Sequence, residues 1–305
     1  MDGIQKRMLL EVADLHGLPH GAYSFRINGV SIGSHSSEGI EIHLKPEGKG
    51  LEIHVQPGTQ NQSVHIPVVL SRTGLEETVY NDFYIGAGSD VLIVAGCGIH
   101  NGGGENARHD GIHRFYIGEG ARMRYVEKHY GEGKGTGQRI LNPLTELHLA
   151  KNSMAELEMV QIRGVDSTER VTNADLAEGA KLLIQERLMT DSKQEAVSLY
   201  NIALNGENSA ADLVSRSVAK DDSYQKFDAL ISGNAACKGH SECDAIIMDK
   251  GCVLAIPQLE ANHVDAALIH EAAIGKIAGD QLIKLMTLGL TEAEAEERII
   301  NGFLK

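Results

Sequence analysis

The chain has 305 residues, 42% hydrophobic and 23% charged, a balance that suits a sizeable globular core and excludes a disordered chain. It carries 34 Gly, six Pro, eight Tyr, five Phe and no Trp, so the core must be aliphatic, and a Gly surplus without a G-X-Y period reads as many tight turns. A net charge of −14 argues against nucleic acid. No apolar run reaches the roughly 18 residues of a membrane span. The N-terminus does not read as a secretory signal, and four Cys are too few for a disulfide scaffold, so the expected compartment is the cytoplasm.

Ile4, Met8, Val12 and Leu15 recur at helical spacing and predict a short amphipathic helix, stopped by Gly17-Leu18-Pro19. From about Ala22 the period changes to two. Leu51-Glu52-Ile53-His54-Val55, Val64-His65-Ile66 and Asp90-Val91-Leu92-Ile93-Val94-Ala95 read as strands, punctuated by Gly86, Gly88, Gly96 and Gly98. Further on, a small-residue turn followed by a short strand recurs at about Gly120, Ser153, Gly179, Ser209, Ser241 and Val264, spaced roughly 23 to 32 residues. Such a period suggests a solenoid whose units cannot bury their faces alone, and a strand-only unit fits one rung of a β-helix. A β-sandwich is the alternative. Leu176 to Leu188 reads equally as helix or strand. At the end, Asp280 is positioned to cap a helix closed by Gly289, and Thr291 with Glu294 forms a capping box for a second helix to about Ile300.

Three motifs fail on detail. Gly131-Glu132-Gly133-Lys134-Gly135-Thr136-Gly137 lacks the Gly-Lys-Ser/Thr that opens a helix in a phosphate loop, and reads as a loop between rungs, as does Asn101-Gly102-Gly103-Gly104. His270-Glu271-Ala272-Ala273-Ile274 starts like a zinc-protease motif but has Ile274 where the second His belongs. No CxxC exists to make a zinc ribbon or ferredoxin pattern. Among Cys237, Cys243, Cys252, His240, His263, His270 and Glu271, the separation of Cys243 and His270 approaches one repeat, and residues one rung apart stack about 4.8 Å apart. In a regular strand His270 and Glu271 point to opposite faces, so both reach one site only at a strand end, a kink or an edge.

Several blocks occur in order near the C-terminus: Glu242-Cys243-Asp244, Pro257-Gln258-Leu259-Glu260-Ala261, His270-Glu271-Ala272-Ala273-Ile274-Gly275-Lys276-Ile277, Asp280-Gln281-Leu282, Leu288-Gly289-Leu290 and Asn301-Gly302-Phe303. Together they resemble the SufB/SufD family of iron–sulfur cluster assembly proteins, most strongly over 206–305. The resemblance implies a mainly β fold, a right-handed parallel β-helix over 21–278, with a short N-terminal helix in 1–20 and a C-terminal helical hairpin in 279–305. It implies a scaffold and not an enzyme, working with a SufC-like ABC ATPase that docks on the hairpin, and passing its cluster to apoproteins. Cys243 falls on the essential Cys of the SufB branch, Glu271 on its essential Glu, and His270 on the His that the SufD branch contributes. A homodimer would then hold an iron–sulfur cluster, [4Fe-4S] favoured, at its interface through these residues. The chain is shorter than the usual SufB and lacks the β-helix Cys that receives sulfur: Tyr125-Val126-Glu127-Lys128-His129 stands there, leaving Cys97, Cys252 or free sulfide as entry routes. A non-ligating SufD-like partner of the ATPase, or a β-helix carbohydrate-active enzyme, are the competing readings. The latter is opposed by scattered acids and scarce aromatic rings.

Overall fold

Period-two alternation makes each strand a ribbon with one apolar face, and a ribbon of this kind needs a second one to cover it. The chain meets that need by winding. The computed structural model describes residues 1–15 and 17–305, with Glu47 described by its backbone alone. Successive strands alternate between two sheets that face each other across a common interior. The result is a parallel β-solenoid of about 8 turns, with a helix at its N-terminus and helices at its C-terminus. Antiparallel pairing is confined to the first hairpins, Ala22–Ile27 with Val30–His35 and Ile40–Leu44 with Gly50–Val55. All later pairs are parallel, which excludes the sandwich.

The repeats visible in the sequence are consecutive strands of one sheet: Arg122–Glu132, Met154–Arg163, Lys181–Thr190, Ala210–Ala219, Lys238–Ile247 and Ala267–Gly275. Their register steps from Arg122 to Met154 and then, by a shorter rung, from Met154 to Lys181. A rung holds two strands, the second belonging to the opposite sheet, for instance Ser167–Leu176, Glu195–Leu204 and Cys252–Ala261. Leu176 to Leu188 is therefore strand on both sides of the turn at 177–180, not helix. That turn recurs in each rung. Gly120, Asn152, Gly179 and Asn208 all have φ of +56° to +66°, and each donates its N–H to the next rung, so a residue that tolerates the left-handed region is needed there. Behind it runs a column of small residues, Ala180, Ser209, Cys237 and Ala266, joined through their rungs' backbone bonds. Cys237 is buried in that column as a small core residue.

The interior is filled by Ile, Leu, Val and Ala, with Phe83 and Phe115 stacked at 4.4 Å. The N-terminal helix spans Gly3–Ala13 and ends at Asp14 in the left-handed region, earlier than the Gly17-Leu18-Pro19 turn. It lies so close to the outside of Asp90–His100 that a Cβ on Gly96 would stand 2.0 Å from the Val12 carbonyl oxygen. At the other end, helix Gly279–Thr287 starts after Ala278, which offers no side-chain cap; Asp280 sits inside its first turn, favourable to the helix dipole. Helix Glu292–Phe303 has the expected Thr291–Glu294 capping box. Its Ile300, followed by Leu304, packs on Val218 and Ile246, whose side chains leave the outer face of the sheet. No helix among the described residues is long and apolar enough to cross a membrane.

Candidate functional site

The site residues lie on the last two rungs of one sheet. Lys238–Ile247 pairs with Ala210–Ala219 on one side and with Ala267–Gly275 on the other, without a register break. Strand Ala267–Gly275 is the sheet's edge, and Cys252–Ala261 is the edge of the opposite sheet. The register is supported along the turns by an asparagine ladder, Asn262 donating to Asn234 at 2.8 Å and Asn234 to Asn205 at 2.7 Å.

Parity decides where each side chain goes. Cys243 lies on the inner face and is buried; its rung neighbours are Ser215 and Ala272. His270 is also inward and is the direct neighbour of Ser241, one rung earlier. The Cys243–His270 spacing falls short of a full rung, so His270 stands diagonal to Cys243 rather than on it. His270 Nδ1 and Ser241 Oγ are both buried without a hydrogen-bond partner. Glu271 takes the outer face, opposite Glu242, and its side chain is 68% exposed. One chain thus brings Cys243 and His270 to a common face and puts Glu271 on the other.

Burial pushes the Cys243 thiol up to about 12, with the carboxylates of Glu186 and Asp244 adding to it. It is a neutral thiol near pH 7, and holding iron requires the metal to displace its proton. Cys97 is fully buried and is likewise pushed well up. Cys252 is exposed on the edge strand. On the outer face His240 accompanies Glu242 and Glu271; His240 Nδ1 lies 2.8 Å from Asp212 Oδ1. Partial burial and a hydrogen bond with Asp244 raise the Glu242 carboxyl above its ordinary range.

The solenoid interior holds a polar seam that sequence reasoning missed. Tyr125 donates to Glu127 at 2.9 Å, and His113 Nδ1 lies 2.8 Å from the same hydroxyl. Arg170 pairs with Glu127 and reaches Glu186 at 3.7 Å. Glu186 accepts from Ser198 at 2.5 Å and from Ser215 at 2.7 Å, and Ser215 is the rung neighbour of Cys243. Burial, the largest single influence, would raise Glu127, but the charges of Arg170, His129 and His113 and the Arg170 hydrogen bond together outweigh it and hold the carboxyl at about 2. Burial lowers both His113 and His129 to about 4. The signal was present in Tyr125-Val126-Glu127-Lys128-His129, where Tyr, Glu and His share one parity.

A second missed feature is an outer ladder of stacked rings, His54, Tyr84, Tyr116 and His148, with centroids 4.8 to 5.2 Å apart, beside a groove of about 970 Å³. Gly131 and Glu132 end the strand Arg122–Glu132, and only 133–137 is a loop between rungs: Gly135 and Gly137 donate to the carbonyls of Asn101 and Gly103, so those N–H groups are not free for a phosphate.

The family model of the SUF system FeS cluster assembly SufBD core domain matches residues 77–303. A SufBD family protein of Methanothermobacter thermautotrophicus is 28% identical over 234 residues, 75% of this chain and 55% of the relative. One of Pyrococcus horikoshii is 30% identical over 241 residues, 77% of this chain and 71% of the relative. The iron–sulfur cluster assembly protein SufB of Bacillus subtilis is 32% identical over 102 residues, 32% of this chain and 22% of the relative. The chain spans about half the length of the first of these relatives.

Proposed function

The chain belongs to the SufB/SufD family of iron–sulfur cluster assembly proteins, and from that premise we propose that it is a scaffold subunit on which a nascent cluster is held and passed on. The observation that carries this reading is the placement of the buried Cys243 thiol and the unpartnered His270 Nδ1 on the same inner face of the terminal rungs. A thiolate with mixed nitrogen or oxygen ligation suits a cluster that must leave again. The cluster, [4Fe-4S] in this reading, is cargo for recipient apoproteins.

Glu271 joins Cys243 only from another copy or around the sheet edge, which favours a homodimer across the open end. The edge strands leave backbone groups unpaired there, and Leu254, Leu259, Ile269 and Ile274 are exposed. The scaffold would then draw its energy from a SufC-like ABC ATPase docked on 279–305. Helix Gly279–Thr287 supports this, since it buries no residue and exposes Ile283 and Met286. In this division 21–278 is the scaffold body and 1–20 its N-terminal brace, and the protein acts in the cytoplasm without catalysing a reaction of its own. A non-ligating SufD-like role is favoured by one observation, the opposite faces of Cys243 and Glu271.

Anaerobic reconstitution with iron and sulfide separates the two. The scaffold reading expects a cluster absorption band that Cys243→Ser loses. An unchanged band in that variant overturns it.

A further inference from the structure

The outer face of the terminal rungs carries donor atoms that the inward Cys243 and His270 do not use. His240 and Glu242 are two residues apart on Lys238–Ile247 and share its outer face, and Glu271 is the in-register neighbour of Glu242. One ligand atom from each of the three lies within 4.8 Å of the other two. The carboxylate of Asp212 can only accept, so its 2.8 Å contact places the imidazole proton on Nδ1 of His240. The lone pair at Nε2 is left facing Glu271 Oε2 at 3.8 Å.

That distance is too long for a hydrogen bond. Two donors bound about 2.1 Å from one metal stand roughly 3.0 to 3.4 Å apart, and rotation of the exposed Glu271 side chain closes the difference. A carboxylate behind a ligating imidazole is the usual support of such a ligand. The charges point the same way. Glu242 and Glu271 are like charges directly across a strand pair, an arrangement that destabilises a sheet. Asp212 and Asp244 stand on the same face, against the cations Arg216 and Lys238. A divalent cation between the carboxylates removes the repulsion.

We propose that His240, Glu242 and Glu271 form a divalent-cation site that takes up ferrous iron on the outer face, separate from the inward thiol of Cys243. Nitrogen and carboxylate donors without a thiolate suit Fe²⁺, Mn²⁺ or Zn²⁺. Only the choice of iron rests on the assembly reading; the ligand geometry does not. With three protein donors and an exposed Glu271, coordination positions stay open and the ion can be surrendered.

The test is anaerobic titration of the full chain with Fe²⁺, and in parallel with Mn²⁺, in the absence of sulfide. One Fe²⁺ per chain is expected. His240→Ala and Glu242→Gln should each weaken binding at least about tenfold, Asp212→Asn about tenfold through the lost second partner, and Cys243→Ser should bind as wild type. The urea midpoints of these surface variants verify folding. The proposal is overturned if wild type takes up no stoichiometric Fe²⁺, if it takes Mn²⁺ alone, or if His240→Ala and Glu242→Gln bind as tightly as wild type. A chain that binds one Fe²⁺ but forms no cluster band with sulfide keeps this site and loses the scaffold reading. A chain that forms the band through Cys243, with His240→Ala binding Fe²⁺ as wild type, does the reverse.

Discussion

Acidification should weaken this solenoid well above the pH at which carboxylates titrate. His113 faces Tyr125 and Glu127, and His129 faces Arg170, Gln161 and Glu127, all inside the seam. Both imidazoles are lowered to about 4 by burial. In the unfolded chain they titrate at about 6.5. Between those values the unfolded state binds protons that the folded state refuses, so stability falls as pH falls. At pH 5 each histidine is about 1.5 pH units below its unfolded value, which costs about 2 kcal/mol, or about 4 kcal/mol for the pair. Glu127 acts in the same direction but lower down: its folded value of about 2 means that its contribution is lost mainly between about pH 4.5 and 2. The measurement is urea unfolding at pH 7 and pH 5, followed by far-UV circular dichroism because the chain has no Trp. Wild type should lose about 4 kcal/mol between the two, and the double variant His113→Gln with His129→Gln only a small part of that. Equal stability of wild type at both pH values, or an unchanged loss in the double variant, refutes the reasoning.

Arg170→Met should cost about 3–5 kcal/mol by stranding the buried carboxylate of Glu127, and adding Glu127→Gln should recover part of it, which a double-mutant cycle in urea would read. Gly96→Ala should detach the N-terminal helix, since its Cβ would stand 2.0 Å from the Val12 carbonyl; limited proteolysis would show new cleavage within 1–21 while the rungs stay resistant. Alkylation near neutral pH should mark the exposed Cys252 first and leave Cys243 unmodified, because the latter is buried and its thiol is pushed up to about 12; equal rates by mass spectrometry would contradict that placement.

The solenoid was legible because a small-residue turn with a short strand recurs along the chain at an uneven interval, and those strands prove to be consecutive in a single sheet. Of the opposite sheet only Leu51 to Val55 was noticed. Its strands, such as Ser167–Leu176, bury Thr168, Arg170 and Thr172 on the inner parity, so their apolar alternation is diluted. The same dilution hid the seam: Glu127 and Arg170 sit on core positions only once the register is known. The aromatic ladder escaped for another reason. Tyr84 and Tyr116 are a whole rung apart along the chain, and winding makes them neighbours where composition alone counts two scattered rings. Of the candidate ligand residues, placement on adjacent rungs could be read from the spacing, but a rung slightly longer than the Cys243–His270 interval moved His270 from Cys243 to Ser241.

That step decides which donor atoms share a face of the terminal rungs. His270 and Glu271 are consecutive, yet one faces the interior with Ser241 and the other the outside with Glu242. A slip of one residue would exchange them and carry every other side chain of the strand to the wrong face. The register is held by Leu268 packed against the core, by the asparagine ladder at the turn, and by unbroken parallel pairing from Lys238–Ala267 to Ile246–Gly275. A sheet edge with so fixed a parity offers two separate donor sets: a thiol and an imidazole inside, and an imidazole with carboxylates outside. In the proposed reading, soft and hard iron chemistry are kept on opposite sides of one strand.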